Sequence, residues 1–99
     1  MVKRKVQIEH IAKNQLRQAY NFIRKDSLQN AEKVRNRILD TIKALAEHPE
    51  HHPLDKYCIE NDGNFRAYEV YKYRINYYVT DDKIFVTRIR HTKMSPLNY

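Results

Sequence analysis

Two apolar stripes at helical spacing, separated by a short interruption, constrain the fold more than any other feature of the chain. The first stripe, between residues 10 and 25, comprises Ala12, Leu16, Ala19, Tyr20 and Ile23. The second comprises Ala31, Val34, Ile38, Ile42 and Leu45. Steps of three and four residues place such side chains on one face of a helix. Between the stripes, "KDS" breaks the pattern, and Asp26 or Ser27 is suited to cap the second helix.

The two predicted helices form a hairpin. Pro49 disfavours helical dihedral angles in the residue before it, so we expect the second helix to end near His48. Helices joined by so few residues lie antiparallel, and each then offers its apolar stripe to another layer. We expect that layer to be a sheet.

Strand signals lie at both ends of the chain. Val2, Val6 and Ile8 predict a short first strand. Three segments rich in β-branched and aromatic residues, "NFRAYEV", "YKYRINYYVT" and "KIFVTRIRH", predict three consecutive strands, and "TDDK" predicts the tight turn between the last two. The intervening "PEHHPLDKYCIENDG" predicts a loop with a short extended piece at Tyr57 to Ile59. The expected fold is α+β in the order β-α-α-β-β-β, a helical hairpin on a small, mainly antiparallel sheet.

Length and composition favour a single domain over residues 1–99. Ninety-nine residues support one core, and an apolar share of 41% with one glycine fits a regular globular domain. There is no apolar run of membrane-spanning length and no signal peptide pattern, so we expect a cytoplasmic protein without membrane contact. The lone Cys58 and the loop histidines His48, His51 and His52 match no standard metal spacing, so we expect neither metal nor cofactor.

The formal charge of +7 indicates an acidic partner, either nucleic acid or protein. The middle predicted strand places Tyr73, Ile75, Tyr77 and Val79 on one face. Its other face carries Arg74, Asn76 and Tyr78, which predicts an open, basic surface. In the last strand, strict alternation would place the apolar Ile84 and Val86 on the same face as Arg88 and Arg90. Alternation alone therefore does not predict which face of this strand is buried.

The candidate functional residues are basic and aromatic groups of the C-terminal half. Their expected role is to bind single-stranded RNA, with cations holding phosphates and rings stacking on bases. The stacking and phosphate-binding candidates are Tyr68, Tyr78, Arg88 and Arg90. The candidates for cleavage chemistry are Arg66, Arg74, His91, Lys93 and Tyr99, which we expect to converge on the same open face as Arg74.

RNA cleavage by the 2′-hydroxyl, which yields a cyclic phosphate, needs a base, an acid and cations near the phosphate. An imidazole can donate or accept a proton, so His91 suits either the acid or the base. Neighbouring arginines would lower the pKa of Tyr99. The alternatives are that His91 merely closes the sheet and that Tyr99 belongs to a frayed terminus.

The order of elements and their motifs resemble the RelE/ParE superfamily of bacterial toxins. The helical half, "AKNQLRQAYNFI" followed by "SLQNAEKVRNRILDTIKALAEHP", is similar to its ParE side. The half "FRAYEVYKYRINYYVTDDKIFVTRIRHTKMSPLNY" is similar to the sheet of the superfamily, with its Tyr-Arg-aliphatic strand and basic tail. The resemblance implies a microbial-RNase-like fold and a toxin of a type II toxin–antitoxin, or plasmid stabilisation, module.

The resemblance also implies two possible targets. RelE-like members cut messenger RNA on the ribosome, and by motif their catalytic residues correspond to Arg66, Arg74, Lys93 and Tyr99, with His91 as a further candidate. ParE-like members are non-catalytic poisons of DNA gyrase. The basic, tyrosine-bearing tail beside Arg74 favours the endoribonuclease, with the gyrase poison as the alternative and an inert, purely structural binding module as the third possibility. Either toxin implies growth arrest and a cognate acidic antitoxin.

Overall fold

The computed structural model describes residues 4–93. Its elements are β1 (Lys5–Ile8), α1 (His10–Arg24), α2 (Leu28–Ala44), β2 (Phe65–Val70), β3 (Tyr73–Val79) and β4 (Lys83–His91). Within this range the strands form one four-stranded sheet in the order β1-β4-β3-β2. The β1–β4 pair is parallel and the other pairs are antiparallel. Both helices pack on one face of this mixed sheet, which confirms the predicted β-α-α-β-β-β fold.

The beginning of α2 follows the predicted capping chemistry, whereas its end does not lie where we expected. Ser27 is the N-cap, and its Oγ accepts the backbone N–H of Asn30 at 3.1 Å. The helix ends at Ala44, before the expected end near His48. The turns that follow are tighter than an α-helix, because their backbone hydrogen bonds join residues three apart. In one of them the Glu47 N–H donates to the Ala44 carbonyl. The chain is therefore already unwinding when it reaches Pro49.

The core lies between the helical hairpin and one face of the sheet. Its fully buried side chains include Ile38 and Leu45 from the helical half and Tyr77 and Ile84 from the sheet. The predicted inward face of the middle strand is confirmed, because its four members are at most 7% exposed. Burial of this apolar surface supplies the main driving force for the fold.

A β-bulge in β4 resolves the orientation that alternation left open. Tyr77 pairs with Val86, whereas the preceding residue Asn76 pairs with Arg88, so Thr87 is an extra residue in β4. The bulge shifts the alternation by one position. Before the bulge, the side chains of Ile84 and Val86 face the helices. After it, Ile89 faces the helices, whereas Arg88 and Arg90 face the opposite side.

The loop between α2 and β2 covers the outer edge of the sheet. Leu54 forms an antiparallel bridge with Arg66, and the backbone N–H of Asp55 donates to the Phe65 carbonyl at 2.9 Å. The extended piece therefore lies at Leu54, and the prediction that it lies at 57–59 is wrong. Earlier in the loop, the Pro49 carbonyl accepts the Tyr77 hydroxyl at 2.6 Å. The loop thus runs from the helix side of the sheet around β2 to the other side, and it covers an otherwise open edge.

Neither helix in the described range, 4–93, has the length and apolar character that crossing a membrane requires.

Candidate functional site

The sheet has a helix-free face opposite the core. Directly paired residues on neighbouring strands project to the same side. By this register the helix-free face carries Lys5, Gln7, Phe65, Ala67, Glu69, Arg74, Asn76, Tyr78, Lys83, Phe85, Arg88 and Arg90. Arg66 pairs with Tyr77 and therefore lies on the helix side. The structure does not bring Arg66 and Arg74 together, which corrects the expectation that they converge on one face.

Arg74 is held by acidic side chains. Its Nη2 lies 2.9 Å from Oδ1 of Asp55 and its Nη1 lies 3.9 Å from Oε2 of Glu69. The guanidinium also lies over the ring of Tyr57 at 5.0 Å. Only 19% of the Arg74 side chain is exposed, and the Asp55 side chain is fully buried. The predicted open and basic surface is therefore partly covered by the loop, and the Arg74 charge is compensated.

Asp55 organises this part of the loop. Besides Arg74, its carboxylate accepts the Asn76 side-chain amide at 2.6 Å and the backbone N–H of Tyr57 at 3.0 Å. Such charge-assisted bonds satisfy a buried carboxylate and make it costly to unpair. Arg74 therefore anchors the loop to the sheet.

Arg66 and Tyr68 lie on the helix side, beneath the first part of the loop. Arg66 donates to the His52 carbonyl at 2.7 Å. The Tyr68 ring stacks on the His52 ring at 4.0 Å between centroids, and its hydroxyl bonds with Thr41 at 2.9 Å. Burial raises the pKa of Tyr68 to about 12, against the opposing effect of the Thr41 hydrogen bond. Tyr68 is 8% exposed, so this ring offers no open surface to a base.

His91 and Lys93 lie at the far end of β4, beside a groove that we call the α1 groove. The His91 ring meets the Tyr73 ring edge to face at 5.2 Å, and Nδ1 of His91 accepts the Lys93 N–H at 3.0 Å. The groove has a volume of about 640 Å³. Its walls are Gln15, Gln18, Ala19, Phe22, Tyr73, Ile89, Arg90, His91 and Lys93. Because His91 pairs with Tyr73, it projects to the side opposite Arg74.

The α1 groove forms where β1 ends, because the C-terminal part of β4 then has a neighbouring strand only on the β3 side. There the side-chain oxygen of Gln15 accepts the N–H of Ile89 at 2.7 Å. Phe22, on the same helix, is 66% exposed. An apolar floor bordered by basic side chains suits an apolar segment that carries acidic groups.

The remaining predicted residues are distributed as follows. Tyr78, Arg88 and Arg90 lie on the helix-free face, as alternation from the middle strand indicated for Tyr78. Tyr99 lies outside the described residues. The roles assigned to all these residues in RNA binding and cleavage stay predictions.

Sequence reasoning missed two features of this face. One is Asp55, whose partner Arg74 is distant in the chain. The other is that Phe65 and Phe85 flank Tyr78 on the neighbouring strands. Alternation within each strand was visible in the sequence, but the register between strands was not.

The described part of the chain contains no group of three or more histidine, cysteine or acidic side chains placed to hold a metal ion. His51 and His52 contact each other edge to face at 5.0 Å between ring centroids. Burial and the neighbouring His51 lower the pKa of His52. This pair belongs to the packing of the loop.

The family model described as "ParE toxin of type II toxin-antitoxin system, parDE" matches residues 6–96. No curated protein sequence matches the chain significantly.

Solved structures share the fold at low sequence identity. The chromosomal ParDE toxin–antitoxin system of P. aeruginosa aligns with a TM-score of 0.73 and 16% identity, over 92% of this chain and 98% of that one. The RelBE2 toxin–antitoxin complex of Mycobacterium tuberculosis aligns with a TM-score of 0.54 and 16% identity, over 91% and 99%. The YoeB dimer of Staphylococcus aureus aligns with a TM-score of 0.57 and 12% identity, over 90% and 97%.

Proposed function

Because the chain belongs to the ParE family of toxins from type II toxin–antitoxin systems, we propose that it arrests growth by poisoning DNA gyrase without cleaving RNA. A cognate antitoxin holds it inactive. The family match favours the ParE branch over the endoribonuclease that the tail of the sequence favoured. The structural observation that most supports this choice is the ion pair between Arg74 and Asp55.

The energetics of that ion pair disfavour Arg74 as a catalytic cation. To reach Arg74 by displacing Asp55, a scissile phosphate would leave a fully buried carboxylate without its cation. Breaking a buried pair in this way costs about 3–5 kcal/mol. A catalytic contact to developing negative charge supplies about 3–4 kcal/mol. The exchange yields no net stabilisation of the transition state.

The placement of the other predicted catalytic groups supports the same choice. General acid–base cleavage needs its base, acid and cations within hydrogen-bond reach of one phosphate. Arg66 and His91 project to the helix side of the sheet, whereas Arg74 projects to the helix-free face. The sheet separates the cation from its supposed partners.

We assign the α1 groove to the antitoxin. The groove combines the exposed ring of Phe22 with Tyr73 and Ile89, and it is bordered by His91 and Lys93. An acidic antitoxin segment with apolar anchors complements both the floor and the border. Charge on the border would speed association, and the apolar anchors would set the lifetime of the complex.

Expression of the chain alone in bacteria tests the function. We expect growth to stop, with thymidine incorporation falling before methionine incorporation, and we expect a small acidic protein encoded beside it to restore growth. If methionine incorporation falls first while replication continues, the gyrase assignment is wrong. Normal growth at high expression of folded protein would contradict any toxin function.

A matched pair of variants tests the groove. Phe22→Ser removes an exposed ring from the groove, and Leu54→Ser removes a 49% exposed apolar side chain beside β2. We expect Phe22→Ser to weaken antitoxin binding tenfold or more, because truncation of an aromatic anchor costs roughly 2 kcal/mol. Leu54→Ser should bind like the wild type. Equal binding by both variants would place the antitoxin elsewhere.

A further inference from the structure

The helix-free face carries a row of three aromatic rings across three adjacent strands. Phe65 lies directly opposite Tyr78, and Tyr78 lies directly opposite Phe85. The Phe65 and Tyr78 ring centroids are 4.5 Å apart, with the rings tilted by 48°. All three side chains are partly exposed, and the core that the helices cover lies on the other side of the sheet. We call these three residues the aromatic row.

Basic side chains flank the aromatic row on both sides. Lys5 on β1 lies directly opposite Lys83 on β4, and both side chains are exposed. Lys83 is two residues before Phe85 and therefore projects to the same face. On the other side, Arg88 pairs with Asn76 and is half-exposed. The bulge in β4 turns Arg88 to this face, so the bulge completes the basic border.

Acidic side chains on the same face are engaged in local contacts. Asp55 and Glu69 both lie against Arg74. Asp62 accepts the backbone N–H of Asn64 at 2.9 Å and lies 3.4 Å from the Tyr78 hydroxyl. Asp62 keeps its negative charge, because both of these partners are neutral. The three cations Lys5, Lys83 and Arg88 outnumber this carboxylate, so the strand positions that border the aromatic row carry a net positive charge.

We propose that the aromatic row and its basic border form a binding site for single-stranded nucleic acid. Unpaired bases stack on the rings, and Lys5, Lys83 and Arg88 contact the phosphates. Strands lie about 4.8 Å apart, so the row spans roughly 10 Å, enough for a short run of splayed bases. Paired bases in a duplex stack on each other and do not present their faces to a platform of this kind.

Aromatic rings between cations favour nucleic acid over an acidic protein partner. An acidic peptide would use the cations but would gain little from three partly exposed rings in line. Each base, in contrast, has a π-face, which makes a ring row tolerant of sequence. The site lies on the side of the sheet opposite His91 and needs no contribution from the α1 groove, so it is independent of antitoxin binding and of RNA cleavage.

Fluorescence anisotropy with three labelled probes tests the proposal. The probes are a 12-nucleotide oligo(dT), a 12-nucleotide oligo(rU) and a 12-base-pair DNA duplex. We expect saturable binding of at least one single strand at a concentration where the duplex stays free. Preference between the two single strands then reports whether the 2′-hydroxyl is recognised, and either preference supports the site.

Two variants separate stacking from charge. Phe85→Leu keeps an apolar side chain but removes the ring, and it should weaken binding about 5- to 150-fold, the equivalent of one stacked base. Lys83→Gln should lower the slope of log affinity against log salt by about 0.7, as expected for one lost phosphate contact on a single strand. Tyr71→Ala is the matched control, because Tyr71 is 54% exposed in the turn between β2 and β3 and lies outside the aromatic row.

Melting curves monitored by circular dichroism establish that each variant is folded. The proposal is overturned if folded Phe85→Leu binds like the wild type, or if the duplex binds as tightly as the single strands. It is also overturned if poly-glutamate displaces oligo(dT) as effectively as unlabelled oligo(dT) does, since charge alone would then account for binding. If Phe85→Leu does not fold, the salt slope of Lys83→Gln and the duplex comparison still decide.

Discussion

At the scale of single residues, Asp55 determines how the basic side chains of the sheet are used. Its carboxylate is fully buried and bonds to Arg74, Asn76 and the Tyr57 amide. In an open site, the Arg74 guanidinium would attract a phosphate. In this structure it fixes the loop between α2 and β2 to the sheet. Arg74, in the middle of its strand, therefore holds this loop in place.

Removing the carboxylate of Asp55 should strongly destabilise the protein. Asp55→Ala leaves Arg74 largely buried without its main counter-charge, and we expect a loss of about 3 kcal/mol in the free energy of unfolding. Urea denaturation measures the loss. The control is Asp62→Ala, at an exposed position, which should cost under about 1 kcal/mol. A double variant, Asp55→Leu with Arg74→Met, should recover part of the loss, because it leaves no unpaired charge. Equal stability of Asp55→Ala and wild type would contradict the assigned role.

The buried phenols predict a loss of stability at alkaline pH. Burial raises the pKa of Tyr68 and of Tyr77 from 10.0 to about 12. Their folded-state values exceed the unfolded ones, so the stabilisation they contribute is fully present below pH 10 and is lost as the pH rises through about 12. Unfolding free energies measured across this range should fall, and the fall should be smaller in Tyr68→Phe. Titration of every tyrosine near pH 10, followed by absorbance on the folded protein, would contradict the burial.

At the scale of elements, the helices and strands could be predicted because their signals are local. The apolar period and the Ser27 cap lie within a few residues of the helices they specify. The end of α2, the pairing of Leu54 with Arg66 and the bulge at Thr87 could not be predicted in this way. The bridge and the bulge depend on which strand lies beside which, and that is set by packing across the whole sheet.

The difference between local signals and pairing between strands also explains which parts of the candidate site could be predicted. Alternation within β3 correctly separated Tyr77 from Tyr78. Arg66 was assigned to the wrong side because β2 had no known register with β3. The ring neighbours of Tyr78 lie on other strands and emerged only when the strands were paired.

Loss of the Ser27 cap should destabilise α2 modestly. Ser27→Ala removes the acceptor of the Asn30 N–H, and we expect a cost of about 1 kcal/mol. Ser27→Asp should retain most of the stability, because its carboxylate also accepts this bond and interacts favourably with the helix dipole. Thermal melts of the two variants give the comparison. A loss as large in Ser27→Asp as in Ser27→Ala would show that the hydroxyl acts through another contact.

At the scale of the whole molecule, the sheet separates two surfaces of different chemistry. On the helix side, the α1 groove combines an exposed aromatic ring with a basic border. On the helix-free face, the aromatic row lies between cations, while Arg74 is compensated by Asp55. A net charge of +7 attracts acidic partners to either surface, and the local geometry decides which partner each surface holds.

We propose that this ParE-family toxin acts on gyrase and does not cut RNA, and one paired assay distinguishes the two activities. Purified toxin is incubated with gyrase, ATP and supercoiled plasmid, then treated with detergent and protease. In parallel it is added to a translating extract whose messenger RNA is examined by primer extension. We predict linear plasmid, released from trapped cleavage complexes, together with intact messenger RNA. Cut messenger RNA with no linear plasmid would disprove action on gyrase and would show that this chain works like the RNA-cleaving branch of the superfamily.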